Sequence, residues 1–189
     1  QINNNVIKIL SENYYGNEEK DEIKLVGSPN MYQHNDWMMP HWKELFKALH
    51  GRTSVTNVDI RRIHLPVSVL DVLFPCLKIM PNLKKLGLNA TGLGDGYCMS
   101  NDGLQRFISY FKQNSTLHQL RIDGYTIDNL SVASTFSEAL KDHPTLKVLI
   151  LDSGRLKGNP EFLEKILEGC TRLDRLALMD NLGSAAVAV

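Results

Sequence analysis

Residues 82 to 96 read NLKKLGLNATGLGDG, an apolar run that stops at a loop holding Gly92, Gly94 and Gly96. Glycines between a strand and a helix can cradle phosphate, because bare backbone N–H groups approach an anion where no side chain intervenes. That chemistry needs G-x-G-x-x-G opening directly into a helix, or a glycine loop that closes on Lys-Ser or Lys-Thr. Here Gly96 is followed by YCMSND, and no lysine follows the glycines. The loop therefore reads as a corner in the chain, and neither a nucleotide nor any other cofactor is expected on it.

The remaining reactive groups are equally dispersed. His34, His41, His50, His64, His118 and His143 show no metal-ligand spacing; His34 and His41 flank Asp36, but Trp37, Met38, Met39 and Pro40 intervene. No G-x-S-x-G elbow occurs, and Cys76, Cys98 and Cys170 stand in no recognisable activating context. No metal, no catalytic residue and no enzymatic activity is expected. Three widely spaced cysteines fit neither a disulfide framework nor a zinc knuckle, so they read as reduced, buried thiols of a cytoplasmic protein. The N-x-S/T triplets at Asn89, Asn114 and Asn129 carry little weight in a chain this rich in Asn.

Charge narrows the partners. Among 189 residues, Lys plus Arg and Asp plus Glu number 21 each, so nothing draws the chain electrostatically toward nucleic acid or an anionic membrane. No apolar run is long enough to span a bilayer, and no signal segment opens the chain. The acidic stretch Glu18, Glu19, Asp21, Glu22 reads as a solvated loop. The first residue is Gln1 and the last seven are apolar GSAAVAV, which suggests a piece of a longer chain.

What positions these residues is a repeat. NLKKLGL aligns with TLHQLRI from Thr116, TLKVLIL from Thr145 and RLDRLAL from Arg172, and more weakly with VTNVDI from Val55. First positions fall at Val55, Leu83, Leu117, Leu146 and Leu173, separated by 28, 34, 29 and 27 residues. An apolar residue follows ten places later at Leu65, Leu93, Ile127 and Leu156. Each copy is a short strand whose fourth and sixth positions face a core, since side chains alternate along a strand. A helix must return the chain, because parallel strands need a long crossover. Leu104, Phe107, Ile108 and Phe111 have helical spacing, as do Phe136, Ala139 and Leu140, and Leu163, Ile166 and Leu167. Asn101 or Asp102 and Asn159-Pro160 read as helix starts, Gly169 as a stop, and Pro75 as a kink or split. Upstream, Ile23 and Leu25 would be inward strand positions; Trp42, Leu45, Phe46 and Leu49 form a helical stripe; and Ile2, Val6, Ile9 and Leu10 suggest an opening helix.

This pattern resembles the leucine-rich repeat family, and its repeat lengths and helical returns are similar to the ribonuclease-inhibitor-like class. The resemblance implies an α/β fold: a right-handed βα solenoid, a horseshoe segment with a parallel concave sheet and outer helices. It divides the chain into an N-terminal cap and divergent first repeat over 1–54, five repeats over 55–182, and an apolar tail over 183–189. Strict copies carry Asn or Cys at the ninth position; here those positions hold Ile63, Thr91, Tyr125, Gly154 and Asn181. The longest gap places extra residues around Tyr97 to Asn101, expected to protrude at the rim.

Positions three, five and seven should face outward. They give rows of Asn57, Lys85, Gln119, Val148 and Arg175; Asp59, Gly87, Arg121, Ile150 and Ala177; and Arg61, Asn89, Asp123, Asp152 and Met179. His118, beside Gln119, reads as hydrated surface. Val148, Ile150, Ala177 and Met179 form an apolar patch with Arg121, Asp152 and Arg175 as its polar rim, the pattern of a contact site. The family resemblance implies a non-enzymatic protein–protein interaction module with its partner on the concave face. Two further expectations stand beside it. One is a GTPase regulator resembling the GTPase-activating leucine-rich-repeat proteins of the Ran system, with Arg61, Arg62 and Asn89 at the strand ends. The other is a structural subunit of a large assembly.

Overall fold

The computed structural model describes residues 21–26, 39–49, 52–89, 99–155 and 159–179. Among these, strands β1 (Glu22–Val26), β2 (Asn57–Arg61), β3 (Lys85–Asn89), β4 (Gln119–Thr126), β5 (Val148–Arg155) and β6 (Arg175–Met179) alternate with helices. The helices are α1 (Met39–Leu49), α2 (Val67–Lys78), α3 (Asn101–Phe111), α4 (Leu130–Asp142) and α5 (Pro160–Glu168). The strands form one parallel sheet in chain order, each paired with its predecessor. Register follows the leucine spacing: Leu86 pairs with Leu120, Leu120 with Leu149 and Leu149 with Leu176. The chain is thus a βα solenoid.

The inward residues explain why the stack holds together. Val58, Ile60, Leu86, Leu88, Leu120, Ile122, Leu149 and Leu151 are all buried in one core, together with Ile23 and Leu25 of β1. Each rung packs between its neighbours, so burial is shared along the stack and no repeat completes its core alone. The helices close the other side of that core through an aromatic seam. Phe107 meets Phe74 at 6.0 Å and Phe136 at 6.2 Å between ring centroids, both edge-on, and joins α2, α3 and α4. On α1, Trp42 and Phe46 are buried and Leu45 and Leu49 pack against the same core.

A second ladder runs along the turns that precede the strands. Asn82 Nδ2 donates to the Thr53 carbonyl, Thr116 Oγ1 to that of Leu83, and Thr145 Oγ1 to that of Leu117, at 2.7, 2.8 and 2.8 Å. Two turns are also closed by side-chain acceptors. Asn114 Oδ1 takes the N–H groups of Thr116 and Leu117, and His143 Nδ1 takes those of Thr145 and Leu146.

Several expectations need correction. Helix α3 does begin at Asn101, one of the two expected starts, with Ser100 as its cap through an Oγ that accepts from Gly103 N at 3.1 Å. Pro75 does not split α2; it sits in the last turn on an exposed position, where the missing N–H costs one bond without a clash into the core. Gly169 does end α5, but with φ −80° and no left-handed turn. Its glycine is required by approach: a Cβ there would stand 2.2 Å from the Ser137 carbonyl oxygen of α4. Glu22 belongs to β1 and accepts from Asn57 Nδ2 at 2.8 Å, so only Asp21 of the described acidic residues is a turn. The described part of the supposed rim insertion does not protrude. Met99 is buried and bridges Tyr125, accepting from Thr126 N and donating to the Gly124 carbonyl, so it pairs with the C-terminal end of β4 beyond the stretch that pairs with β3. The glycine corner over 90–98, Leu156, the opening helix and the apolar tail lie outside the described residues.

Cys76 and Cys170 are free thiols; burial pushes both up to about 11, which leaves them protonated and unreactive. Cys98 is outside the described residues. Among the described residues no helix is long and apolar enough to cross a membrane, and no three potential ligands converge as a metal site.

Candidate partner-binding face

The outward rows of the sheet are set by the same register. Asn57, Lys85, Gln119, Val148 and Arg175 align across five strands, followed by Asp59, Gly87, Arg121, Ile150 and Ala177, then Arg61, Asn89, Asp123, Asp152 and Met179. These rows lie on the face opposite the helices, because in β2 to β5 the residues that alternate with them are the buried Val58, Ile60, Leu86, Leu88, Leu120, Ile122, Leu149 and Leu151. Val148, Ile150 and Ala177 are half-buried, Arg175 is exposed and Met179 is 47% exposed. The four apolar residues thus occupy adjacent places on β5 and β6, with Arg175 at one end and Arg121 and Asp152 beside them.

Toward the middle of the sheet the face is polar and cross-linked. The Arg61 guanidinium lies 2.5 Å from Asp59, whose hydrogen bond raises its pKa. Gly87 leaves a notch that the Asp59 carboxylate partly fills: a Cβ at Gly87 would meet Asp59 Oδ1 at 2.9 Å. Arg121 Nε donates to Asp123 Oδ2 at 2.7 Å, and its Nη2 lies 4.0 Å from Asp152 Oδ2. Asn89 Nδ2 donates to the same Asp123 oxygen at 2.5 Å. Arg61 and Asn89, two groups the GTPase-regulator reading would need, are therefore engaged in contacts within the sheet. His118 is exposed, with Nδ1 2.7 Å from the Thr116 carbonyl oxygen.

Asp123 departs from its row. Alternation makes it a solvated outward residue, yet its side chain is 0% exposed. Oδ1 has no hydrogen-bond partner, and burial pushes its carboxyl above the usual range while the Arg121 hydrogen bond pulls it back. The strand pattern also changes just after the last outward row. Arg62, Gly124 and Ser153 all have positive φ, at 53°, 73° and 50°. After left-handed Gly124 the alternation is broken, so Tyr125 is fully buried where the ninth position of a strict repeat would hold Asn or Cys. Only Gly124 adopts that conformation without steric cost. The Asp-Gly pair at 123–124 is the signal that sequence reading could have used; the burial of Asp123 itself depends on its neighbours and has no sequence signature.

No family model matches the sequence, and no curated protein does. Solved structures do resemble the fold. A tropomodulin C-terminal domain from Caenorhabditis elegans superposes with a TM-score of 0.60 at 13% identity, covering 88% of this chain and 92% of that one. Leiomodin-1 actin-binding site 2 gives a TM-score of 0.53 at 17% identity, covering 75% and 79%. At such identities the likeness is one of fold. It matches the architecture described above, a leucine-rich-repeat-type α/β solenoid.

Proposed function

We propose that this chain is a non-enzymatic protein-interaction module of the ribonuclease-inhibitor-like class, acting in the cytoplasm and holding its partner on the concave face. The repeats over 55–182 form the binding unit, with 1–54 as cap and divergent first repeat. Val148, Ile150, Ala177 and Met179 supply the apolar centre of the contact, and Arg121, Asp152 and Arg175 its polar rim. The observation that carries the reading is the contrast along one face: the polar groups of β2 to β4 are engaged with one another, Arg61 with Asp59 and both Arg121 and Asn89 with Asp123, while β5 and β6 present adjacent apolar side chains with Met179 47% exposed. An apolar patch with a polar edge is the usual anatomy of a protein contact. A neutral chain favours a protein over nucleic acid or an anionic membrane. Actin is the first named partner to try, since a domain of like fold in leiomodin-1 is an actin-binding site.

The test is a double substitution, Ile150→Lys with Met179→Glu. Both side chains lie on the open face, so the variant is expected to fold with an unchanged circular dichroism spectrum. It should lose at least tenfold in affinity for purified actin if actin is the partner, and otherwise lose proteins retained by the unaltered chain from cell extract. Equal retention by both chains would place docking elsewhere.

A further inference from the structure

The concave face contains one group whose chemistry is incomplete. Asp123 is a fully buried carboxylate on the open side of the sheet, and both of its donors, Asn89 and Arg121, reach the same oxygen, Oδ2. Oδ1 has none. A buried carboxylate oxygen without a donor is costly, and the deficit is removed by any N–H or cation brought to it. Its register partner Asp152 is 20% exposed, accepts from Ser153 Oγ at 3.1 Å and meets Arg121 only at 4.0 Å. Two carboxylates therefore share one guanidinium that fully satisfies neither. Ile150 precedes Asp152 by two residues on the same face, so an apolar surface adjoins the acidic pair.

We propose that Asp123 and Asp152 form a receptor for an arginine side chain of a protein partner, with Ile150 packing against its aliphatic stem. This rests on the reading of the concave face as the docking surface and names the chemistry it selects. A planar guanidinium presents N–H groups in a fork that can bridge two carboxylates, and an apolar stem that suits the β5–β6 patch; an ammonium provides only a point charge. Asp123 is closed to solvent and Arg121 is 39% exposed, so binding at Asp123 requires Arg121 to move aside after the incoming group has met Asp152. The chain's own last ten residues, DNLGSAAVAV, contain no Lys or Arg and cannot supply the cation. Two carboxylates with a single guanidinium between them are complementary to a cationic side chain brought by the partner.

The experiment titrates the full chain with N-acetyl-arginine methylamide and, separately, with its neutral isostere N-acetyl-citrulline methylamide, followed by amide chemical shifts in NMR. The arginine probe is expected to give saturable shifts in 121–123 and 150–152, and to bind at least tenfold more tightly than citrulline. Asp152→Asn, at a partly exposed position that tolerates the change, should remove that preference; Asp123→Asn should do the same where it folds. Equal binding of the two probes, or an unaltered preference in Asp152→Asn, overturns the proposal. If the preference is absent while Ile150→Lys with Met179→Glu still abolishes capture, the concave module stands and only the arginine receptor falls. If the preference is present while capture survives the double substitution, the receptor stands and the apolar docking patch falls.

Discussion

His143 and Asn114 do the same work with different chemistry. Each closes the turn before a strand by accepting two backbone N–H groups, through Nδ1 in one case and Oδ1 in the other. The imidazole adds a stacked contact with Phe111 at 4.2 Å between ring centroids, and its Nε2 is buried without a hydrogen-bond partner. Accepting through Nδ1 requires the neutral ring, and burial lowers its pKa from 6.5 to about 4. The sign follows directly. The fold favours the deprotonated form, so this stability is complete above pH 6.5 and is lost as pH falls toward 4, to an extent of about 3 kcal/mol. His143→Asn should preserve the turn through Oδ1 and flatten the dependence of stability on pH between 6.5 and 4, whereas His143→Ala should lose the turn bonds as well. Urea denaturation at a series of pH values distinguishes them; a slope unchanged in His143→Asn would show that another group titrates.

At the scale of the strand, the inward leucines differ in value by their place in the stack. Leu149, in β5, is fully buried between Leu120 and its partner in β6, whereas Leu176 occupies the corresponding place in β6 and is 37% exposed. Leu149→Ala should cost about 2 to 5 kcal/mol, the range for an emptied core site. Leu176→Ala should cost about 1 kcal/mol or less, since part of that side chain never leaves water. Chemical denaturation of both variants checks the ranking, and equal losses would mean that β6 is covered in solution. The register behind this prediction was legible in the sequence because two periods coincide: alternation fixes which side chains face the core, and repeat length fixes which strand neighbours which. The outward rows match for the same reason. What escaped the sequence was the end of each strand. Tyr125 turns inward after left-handed Gly124 and bridges Met99, Ser100 caps α3 through its own hydroxyl, and Asp123 is buried by contacts between repeats; of these only Gly124 advertises its conformation.

Across the whole molecule, the two faces of the sheet have different fates. The helix side is consumed by the shared core, so substitutions there change stability. The concave side is divided between internal ion pairs in the middle and an apolar surface at β5 and β6, so under the proposed function substitutions there should change binding and leave stability nearly unchanged. The proposed site residues were readable as a group because they lie at outward positions of three adjacent strands, Arg121 on β4 and the rest on β5 and β6; Asp123, the residue with the least satisfied chemistry, was not, because its burial is a property of the assembled sheet. The most direct measurement is site-specific photo-crosslinking with benzoylphenylalanine placed at Ile150, on the concave face, and in a second chain at Glu138, an exposed outer position of α4. The concave-face account predicts that the partner is trapped from position 150 and not from position 138; a partner trapped from 138 alone would contradict it.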